Sequence, residues 1–333
     1  MMVSRQGAPS RVLVVTNLWP YAADLGYGAF VRAQMESLRA QGVEYDVLFI
    51  NGRESKWNYL RGIGELRKRL KNGSYDLIHA HFGLSGWVAR CQLRLPVVVS
   101  FLGDDVLGRP RRDGSITLYG RFLQASSLVL ARIVSAVIVK NSQMKRVLRF
   151  PSAHVIPNGV DLELFRPMDS LSARRELGLD LSKRFVLFPY DPATPGKRFD
   201  IIEAAVGLAR KHFPELEILV ARGAPAARMP FFMNAADMLV LASMQEGSPN
   251  AVKEAMACNL PVIAVDVGDV TQLFGSAEGC YLVPRDAEAI AARIVEACRK
   301  GGRSLGREQI ARLSIEKVAA QIVDIYRSVL GRV

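Results

Sequence analysis

A chain of 333 residues, half of them hydrophobic and 23% charged, has the composition of a globular protein rather than a disordered one, and its length predicts two domains at roughly 150 residues each. The net charge of +12 is unevenly placed, with 23 Lys and Arg against 12 Asp and Glu in residues 1–166 but 21 against 20 in residues 167–333; no nucleic-acid module and no basic segment interleaved with aromatics accompanies it, so the excess fits anionic headgroups or a lipid-linked pyrophosphate better than nucleic acid. Cys91, Cys258, Cys280 and Cys298 form neither a close pair nor a metal spacing and read as buried thiols in a reducing cytoplasm.

Residues 1–11 are polar, with no secretory apolar region ahead of a cleavage site. A first strand is predicted over 12–16. A loop over 17–28 follows, in which Gly26 and Gly28 admit a ligand close to the backbone at the start of an amphipathic helix over 29–40, although a plain turn explains the same residues. The second strand is 45–50. The helix predicted over 57–71 sets Leu60, Ile63, Leu66 and Leu70 at helical spacing against Arg61, Arg67, Lys68, Arg69 and Lys71. Its stripe packs on the sheet, lies on a membrane surface, or packs inward while the cations face headgroups. The third strand, 77–81, puts His79 and His81 on one face near its carboxyl end, pointing towards a cleft. No third or fourth ligand suits zinc, and His81 is a candidate for an acceptor site.

After a strand at 96–100, Asp104 and Asp105 either bind a hydroxyl or cap the loop 106–116 through local backbone bonds. Arg109, Arg111 and Arg112 are either solvated or part of an anionic path. A helix over 119–131, a strand over 136–139 and a helix over 142–148 capped by Asn141 or Ser142 follow, and 155–156 close the first domain. The longest apolar region, 125–139, contains Arg132 and falls short of the roughly 20 residues that cross a bilayer. Residues 158–167 form a crossing segment that turns at Gly159.

The second domain opens with a strand at 185–188. Lys197 and Arg198 stand at the start of a helix over 199–211, where fixed cations can hold a diphosphate. A strand at 216–221 ends at Arg222. The most informative stretch is 243–268: an apolar strand over 238–242 stops at a loop with Glu246 and Gly247, Ser248 is a good N-cap, and Pro249 suits a first helical position. The helix ends where Asn259 tolerates a left-handed conformation and Pro261 cannot continue, and a strand follows at 262–265. Ligands of such a βαβ unit gather at the carboxyl ends of the strands, where the free amides after Ser248 suit an anion or a ring of hydroxyls. Glu246 and Glu254 can accept hydrogen bonds from sugar hydroxyls; alternatively Glu254 shares a solvated face with Lys253. A strand at 281–283 and helices at 287–299 and 315–330 complete the chain, the last with Val318, Ile322, Ile325 and Val329 at helical spacing.

Glu246-Gly-Ser-Pro-Asn, Glu254-Ala-Met-Ala, Leu260-Pro-Val-Ile-Ala and Gly268 resemble the Glu-x7-Glu signature of retaining glycosyltransferases of family 4, and 155–167 is similar to that family's interdomain segment. The resemblance implies an α/β, two-domain GT-B fold. Its parts are a Rossmann-like acceptor- and membrane-facing domain over 1–166, a Rossmann-like nucleotide-sugar domain over 167–314, and a terminal helix over 315–333 that returns to the first domain or docks on its own. It also implies that Glu254 binds the ribose, Glu246 the transferred sugar, and the loop Gly247-Ser248-Pro249-Asn250, through its free N–H groups, sugar hydroxyls or phosphate. Gly28 then faces the diphosphate, Asp104 or His81 the acceptor, and Lys197 the donor phosphates, with Asp200 matching the family's aspartate. Three departures stand out. Leu102 occupies the place of a sugar-contacting histidine, the Gly-Arg pair upstream of Lys197 is absent so that Arg198 or Arg222 takes its role, and the stretch 222–236 is short by one strand and one helix.

The function so implied is transfer of a sugar, from a UDP-sugar rather than a GDP-sugar, to a glycan or lipid-linked hydroxyl in cell-surface or exopolysaccharide assembly. Neither cofactor nor metal is expected, and the protein is placed in the cytoplasm on the inner face of the plasma membrane. A nucleotide-sugar epimerase or hydrolase and a non-catalytic, membrane-associated partner subunit are the alternatives. A nicotinamide-dependent oxidoreductase is disfavoured, since no Gly-x-Gly-x-x-Gly follows the first strand.

Overall fold

The computed structural model describes residues 10–111 and 113–331; the readings of residues 1–9 and of Arg112 lie outside them. The first half alternates strands and helices: β1 Arg11–Thr16, α1 Ala29–Ala40, β2 Glu44–Phe49, α2 Asn58–Asn72, β3 Leu77–His81, α3 Gly83–Arg90, β4 Val97–Ser100, α4 Asp104–Leu107, α5 Leu118–Leu130, β5 Ala136–Val139, α6 Ser142–Leu148 and β6 His154–Val155. All strands pair in parallel in the order β2-β1-β3-β4-β5-β6. Apolar runs such as Val12–Val15 are buried on both faces, as a parallel sheet covered by helices requires.

The second half holds α7 Ser170–Glu176, β7 Arg184–Phe188, α8 Phe199–Ala209, β8 Leu216–Val220, α9 Met229–Ala235, β9 Met238–Leu241, α10 Asn250–Ala257, β10 Val262–Ala264, α11 Val270–Phe274, β11 Cys280–Leu282, α12 Ala287–Lys300, α13 Gly306–Ile310 and α14 Ile315–Leu330. Its five strands are parallel in the order β11-β10-β9-β7-β8. Two Rossmann-like sheets are therefore present. The short helices α3, α4, α7, α9, α11 and α13 were not legible in the pattern, most spanning too few residues to show a period of 3.6. Helix α9 occupies the stretch from which a helix was expected to be missing.

The crossing segment is held firmly. Val160 N–H donates to Leu313 O at 3.0 Å and Ile315 N–H to Val160 O at 2.9 Å, while the Arg307 guanidinium donates to Leu162 O, Phe165 O and Ala257 O at 2.7–2.8 Å. Helix α14 lies on α1: Ser37 Oγ donates to Ile315 O at 3.0 Å and Gln41 Nε2 to Glu316 O at 2.8 Å. One apolar cluster runs without a break from Val12 and Leu77 through Val160, Phe165 and Tyr326 to Leu239 and Val262. Of the α2 stripe, Leu66 is buried and Ile63 and Leu70 pack against the sheet, but Leu60 is exposed.

Candidate active site

A cavity of about 880 Å³ opens between the carboxyl ends of the two sheets. The second sheet contributes Tyr190, Lys197, Glu246, Gly247, Asn250, Lys253 and Glu254; the first contributes Gly28, Tyr27, Arg53, Leu102, Asp104 and Arg109. Lys197, at the end of a short helical turn before α8, places Nζ 2.6 Å from Glu246 Oε1 and 4.0 Å from the centre of the Tyr190 ring. Ion pair and aromatic face together fix the ammonium where α8 begins. Burial pushes the Glu254 carboxyl up to about 7, opposed by the neighbouring Lys253 ammonium.

The loop before α10 departs from expectation. Pro249, not Ser248, stands at the cap position, and the helix starts at Asn250. The Ser248 hydroxyl makes no cap bond and instead accepts from Lys253 Nζ at 3.0 Å. Lys253 is no solvated neighbour of Glu254: it is 0% exposed and also donates to Asn158 O at 2.8 Å. Asn259 adopts the left-handed conformation expected of it, with φ +54°.

Gly247 makes the closest approach between the two halves. A β-carbon there would sit 2.4 Å from Leu102 O, its carbonyl accepts from Asn141 Nδ2, and Gln245 Nε2 donates to Gly108 O at 2.6 Å. Gly28 has φ +69°, and a β-carbon on it would sit 2.3 Å from Leu18 C, so only glycine brings the start of α1 to the cavity.

The structure thus brings together Glu246, Lys197, Glu254, Gly247, Asn250, Gly28 and Asp104. It does not bring in five others. Ser248 and Pro249 are buried behind the loop and do not line the cavity. The Arg198 guanidinium closes on Asp200, Nη2 to Oδ2 2.9 Å, instead of the cavity, and Arg222 pairs with Asp191 at 3.2 Å. His81 is 1% exposed beneath the cleft rather than open to it. Its Nε2 lies 3.1 Å from Gln34 Nε2, and its ring centre is 4.3 Å from that of His79, which contacts Tyr326 Oη at 2.6 Å and Ser100 Oγ at 2.9 Å. Burial holds both imidazoles neutral, His79 down to about 3. Strand alternation gave the shared face correctly, but α1 and α14 cover it.

The two aspartates separate by role. Asp105 is buried and accepts from the amides of Gly83, Leu102 and Gly103 at 2.9–3.0 Å, so it holds the residues before it rather than capping the loop 106–116. Asp104 lines the cavity with Arg109 Nε 3.4 Å away, and burial pushes its carboxyl up against the pull of that guanidinium. Asn141 proves to be the α6 cap, its Oδ1 accepting from Met144 N–H at 2.8 Å. Sequence reasoning missed Tyr190, Asn141, Asn158 and Lys253 as parts of the site. Lys253 carried a signal, since it falls on the same turn of helix as the second glutamate.

Comparison with known proteins bears on the family and the fold. Residues 11–164 match the family model described as Glycosyltransferase Family 4, and residues 207–300 match that described as Glycosyl transferases group 1. The chain is 30% identical over 266 residues to the putative teichuronic acid biosynthesis glycosyltransferase TuaC of Bacillus subtilis, a match that covers 74% of this chain and 66% of TuaC. It is 27% identical over 309 residues to a D-inositol 3-phosphate glycosyltransferase of Segniliparus rotundus, covering 77% and 67%. The match thus spans about two thirds of the length of these relatives. Among solved structures, sucrose-phosphate synthase from Thermosynechococcus elongatus superposes with a TM-score of 0.77 at 22% identity, over 97% of this chain and 99% of that one. Anabaena HepE in complex with UDP and glucose gives 0.67 at 17%, over 95% and 98%. The chain belongs to glycosyltransferase family 4 and has its GT-B fold.

Proposed function

We propose that the protein is a retaining hexosyltransferase that moves a sugar from a UDP-sugar to a hydroxyl of a glycan or lipid-linked acceptor in cell-surface or exopolysaccharide assembly. The observation that carries this reading is the convergence of Lys197, Glu246 and Glu254 on one cavity between the two sheets. Glu254 accepts from the ribose hydroxyls and Glu246 from the sugar. Lys197 exchanges Glu246 for the diphosphate and neutralises it as the sugar leaves, aided by the amide ends of α1 and α10, so no metal ion is required. The leaving phosphate oxygen takes the acceptor proton on the face where the new bond forms, which retains the anomeric configuration. Asp104 and Arg109, on the opposite bank, receive the acceptor. The HepE complexes with UDP and glucose, and with UDP-glucose, support a uridine nucleotide, and the name of TuaC supports a cell-surface product.

Membrane contact on the cytoplasmic face belongs to the same proposal. Among the described residues no helix is long and apolar enough to cross a membrane. Trp57 and Leu60 at the start of α2 and Leu118 and Phe122 at the start of α5 are 58–78% exposed, with Arg61, Arg111 and Arg121 exposed among them. Apolar side chains set among cations suit an anionic bilayer surface.

A thermal-shift screen of UDP- and GDP-sugars, followed by NMR of the anomeric proton of the product, tests the reading. Stabilisation by a UDP-sugar and retained configuration support it. Stabilisation by none, or release of sugar into water regardless of acceptor, contradicts it.

A further inference from the structure

Lys253 is a full-length lysine side chain with no exposed surface, set on α10 directly before the glutamate assigned to the ribose. Burying an ammonium is costly unless its hydrogen bonds are made, and an apolar residue of similar volume would serve packing better. No carboxylate lies within ion-pair distance of it among the described residues. Its partners are instead Asn158 O, at 2.8 Å on the crossing segment, and Ser248 Oγ, at 3.0 Å on the loop that follows Glu246. Asn158 reaches the same loop a second time, its Nδ2 donating to Asn250 Oδ1 at 3.2 Å.

The Lys253 ammonium therefore joins the segment on which the two halves pivot to the loop that carries the donor contacts. A cleft of this kind opens by changes of backbone angle in its connecting segment, and displacement of the Asn158 carbonyl breaks the 2.8 Å bond. Asp269, buried close by, is the foremost anion in the field of Lys253. It offers the ammonium a counter-charge when the carbonyl departs. Glu254 and Glu246 act in the same sense, whereas Lys140 at the end of β5 opposes them.

We propose that Lys253 is a positioning residue that locks the donor loop to the crossing segment in the closed cleft, so that the two halves close fully over a seated donor only when that tie is made. The proposal rests on the donor assignment above.

The test compares wild type, Lys253→Met and Lys253→Arg by calorimetric titration with UDP, small-angle scattering with and without UDP, and transfer kinetics. The Met variant is expected to bind UDP with a Kd within about threefold of wild type while kcat falls about tenfold or more, the size of effect that misplacement of reacting groups produces. Its radius of gyration is expected to stay at the larger, open value when UDP is added. The Arg variant, which keeps the charge, is expected to recover the scattering response and most of kcat. An unchanged kcat, or a joint fall of affinity and kcat/KM with the scattering response intact, overturns the proposal. Should Lys253→Met not fold, Ser248→Ala removes the ammonium's tie to the donor loop and must give the same split between Kd and kcat. Should wild type bind no UDP, the donor assignment fails. The lock, which closes the cleft over that donor, then fails with it, whereas UDP binding with an unaltered kcat in Lys253→Met overturns the lock alone.

Discussion

Lys197 Nζ and Glu246 Oε1 stand 2.6 Å apart, so the cation assigned to the diphosphate is held on the carboxylate assigned to the sugar. The pair is self-neutralising until a donor separates it, and each partner then meets the group it binds. Removal of either changes different kinetic constants. Lys197→Ala is expected to lower kcat/KM by about 10²–10³-fold, as loss of a preorganised charge does, and to weaken UDP binding. Glu246→Gln is expected to lower kcat while leaving UDP affinity nearly unchanged. Steady-state kinetics beside UDP calorimetry checks both.

Glu254 predicts a pH dependence. Its carboxyl is raised to about 7 by burial, so the folded chain holds this proton more tightly than the unfolded one. The resulting stabilisation is complete below the ordinary carboxylate range and is lost as pH rises through about 7. Glu254→Gln is therefore expected to match the Tm of wild type at about pH 4 and to exceed it at about pH 8. Ribose hydroxyls donate to the charged form, so UDP affinity of wild type is expected to rise through the same interval and that of the variant to stay flat. Differential scanning fluorimetry and calorimetry across that interval are the checks.

Gly247→Ala places a methyl group 2.4 Å from a backbone oxygen that cannot rotate away. The two halves must separate at the point where the sugar is held. We expect a folded protein whose transfer rate is down by about a hundredfold, the usual cost of a displacement near 1 Å. Circular dichroism and kinetics on the same preparation separate the two effects.

Both sheets could be read from the sequence, because buried parallel strands are continuous apolar runs such as Val12–Val15 and Met238–Leu241. Lys197 is legible as a cation at a helix start and Glu246 as a carboxylate in the loop after a strand, whereas Glu254, on α10, stands out only through the resemblance to the Glu-x7-Glu signature. What a linear pattern does not contain is which element covers which face. His79 and His81 share a face as predicted, yet α14, more than two hundred residues later, closes it with Tyr326. Ser248 is a favourable cap by residue type, but a lysine five positions on claims its hydroxyl. Arg198 has an acid two residues away, and that local partner outcompetes the cavity.

The covered histidine gives a stability prediction. Tyr326→Phe leaves His79 Nδ1 buried without its partner and is expected to cost about 1–3 kcal/mol. Urea unfolding measures it, and UDP affinity is expected to stay as in wild type.

For the proposed membrane face, Leu118→Ser combined with Phe122→Ser is expected to reduce co-sedimentation with phosphatidylglycerol vesicles without altering UDP binding. The remaining attachment, carried by arginines, is expected to fall as salt is raised. Unaltered sedimentation of the double variant would remove α5 from the contact.

The most direct test of the donor grip is calorimetric titration of UDP into wild type, Lys197→Ala and Glu254→Gln at a pH above 7. The account predicts saturable binding to wild type and a loss of about tenfold or more in each variant, as expected when a charged hydrogen-bond partner is removed. Equal affinity in all three proteins would contradict it.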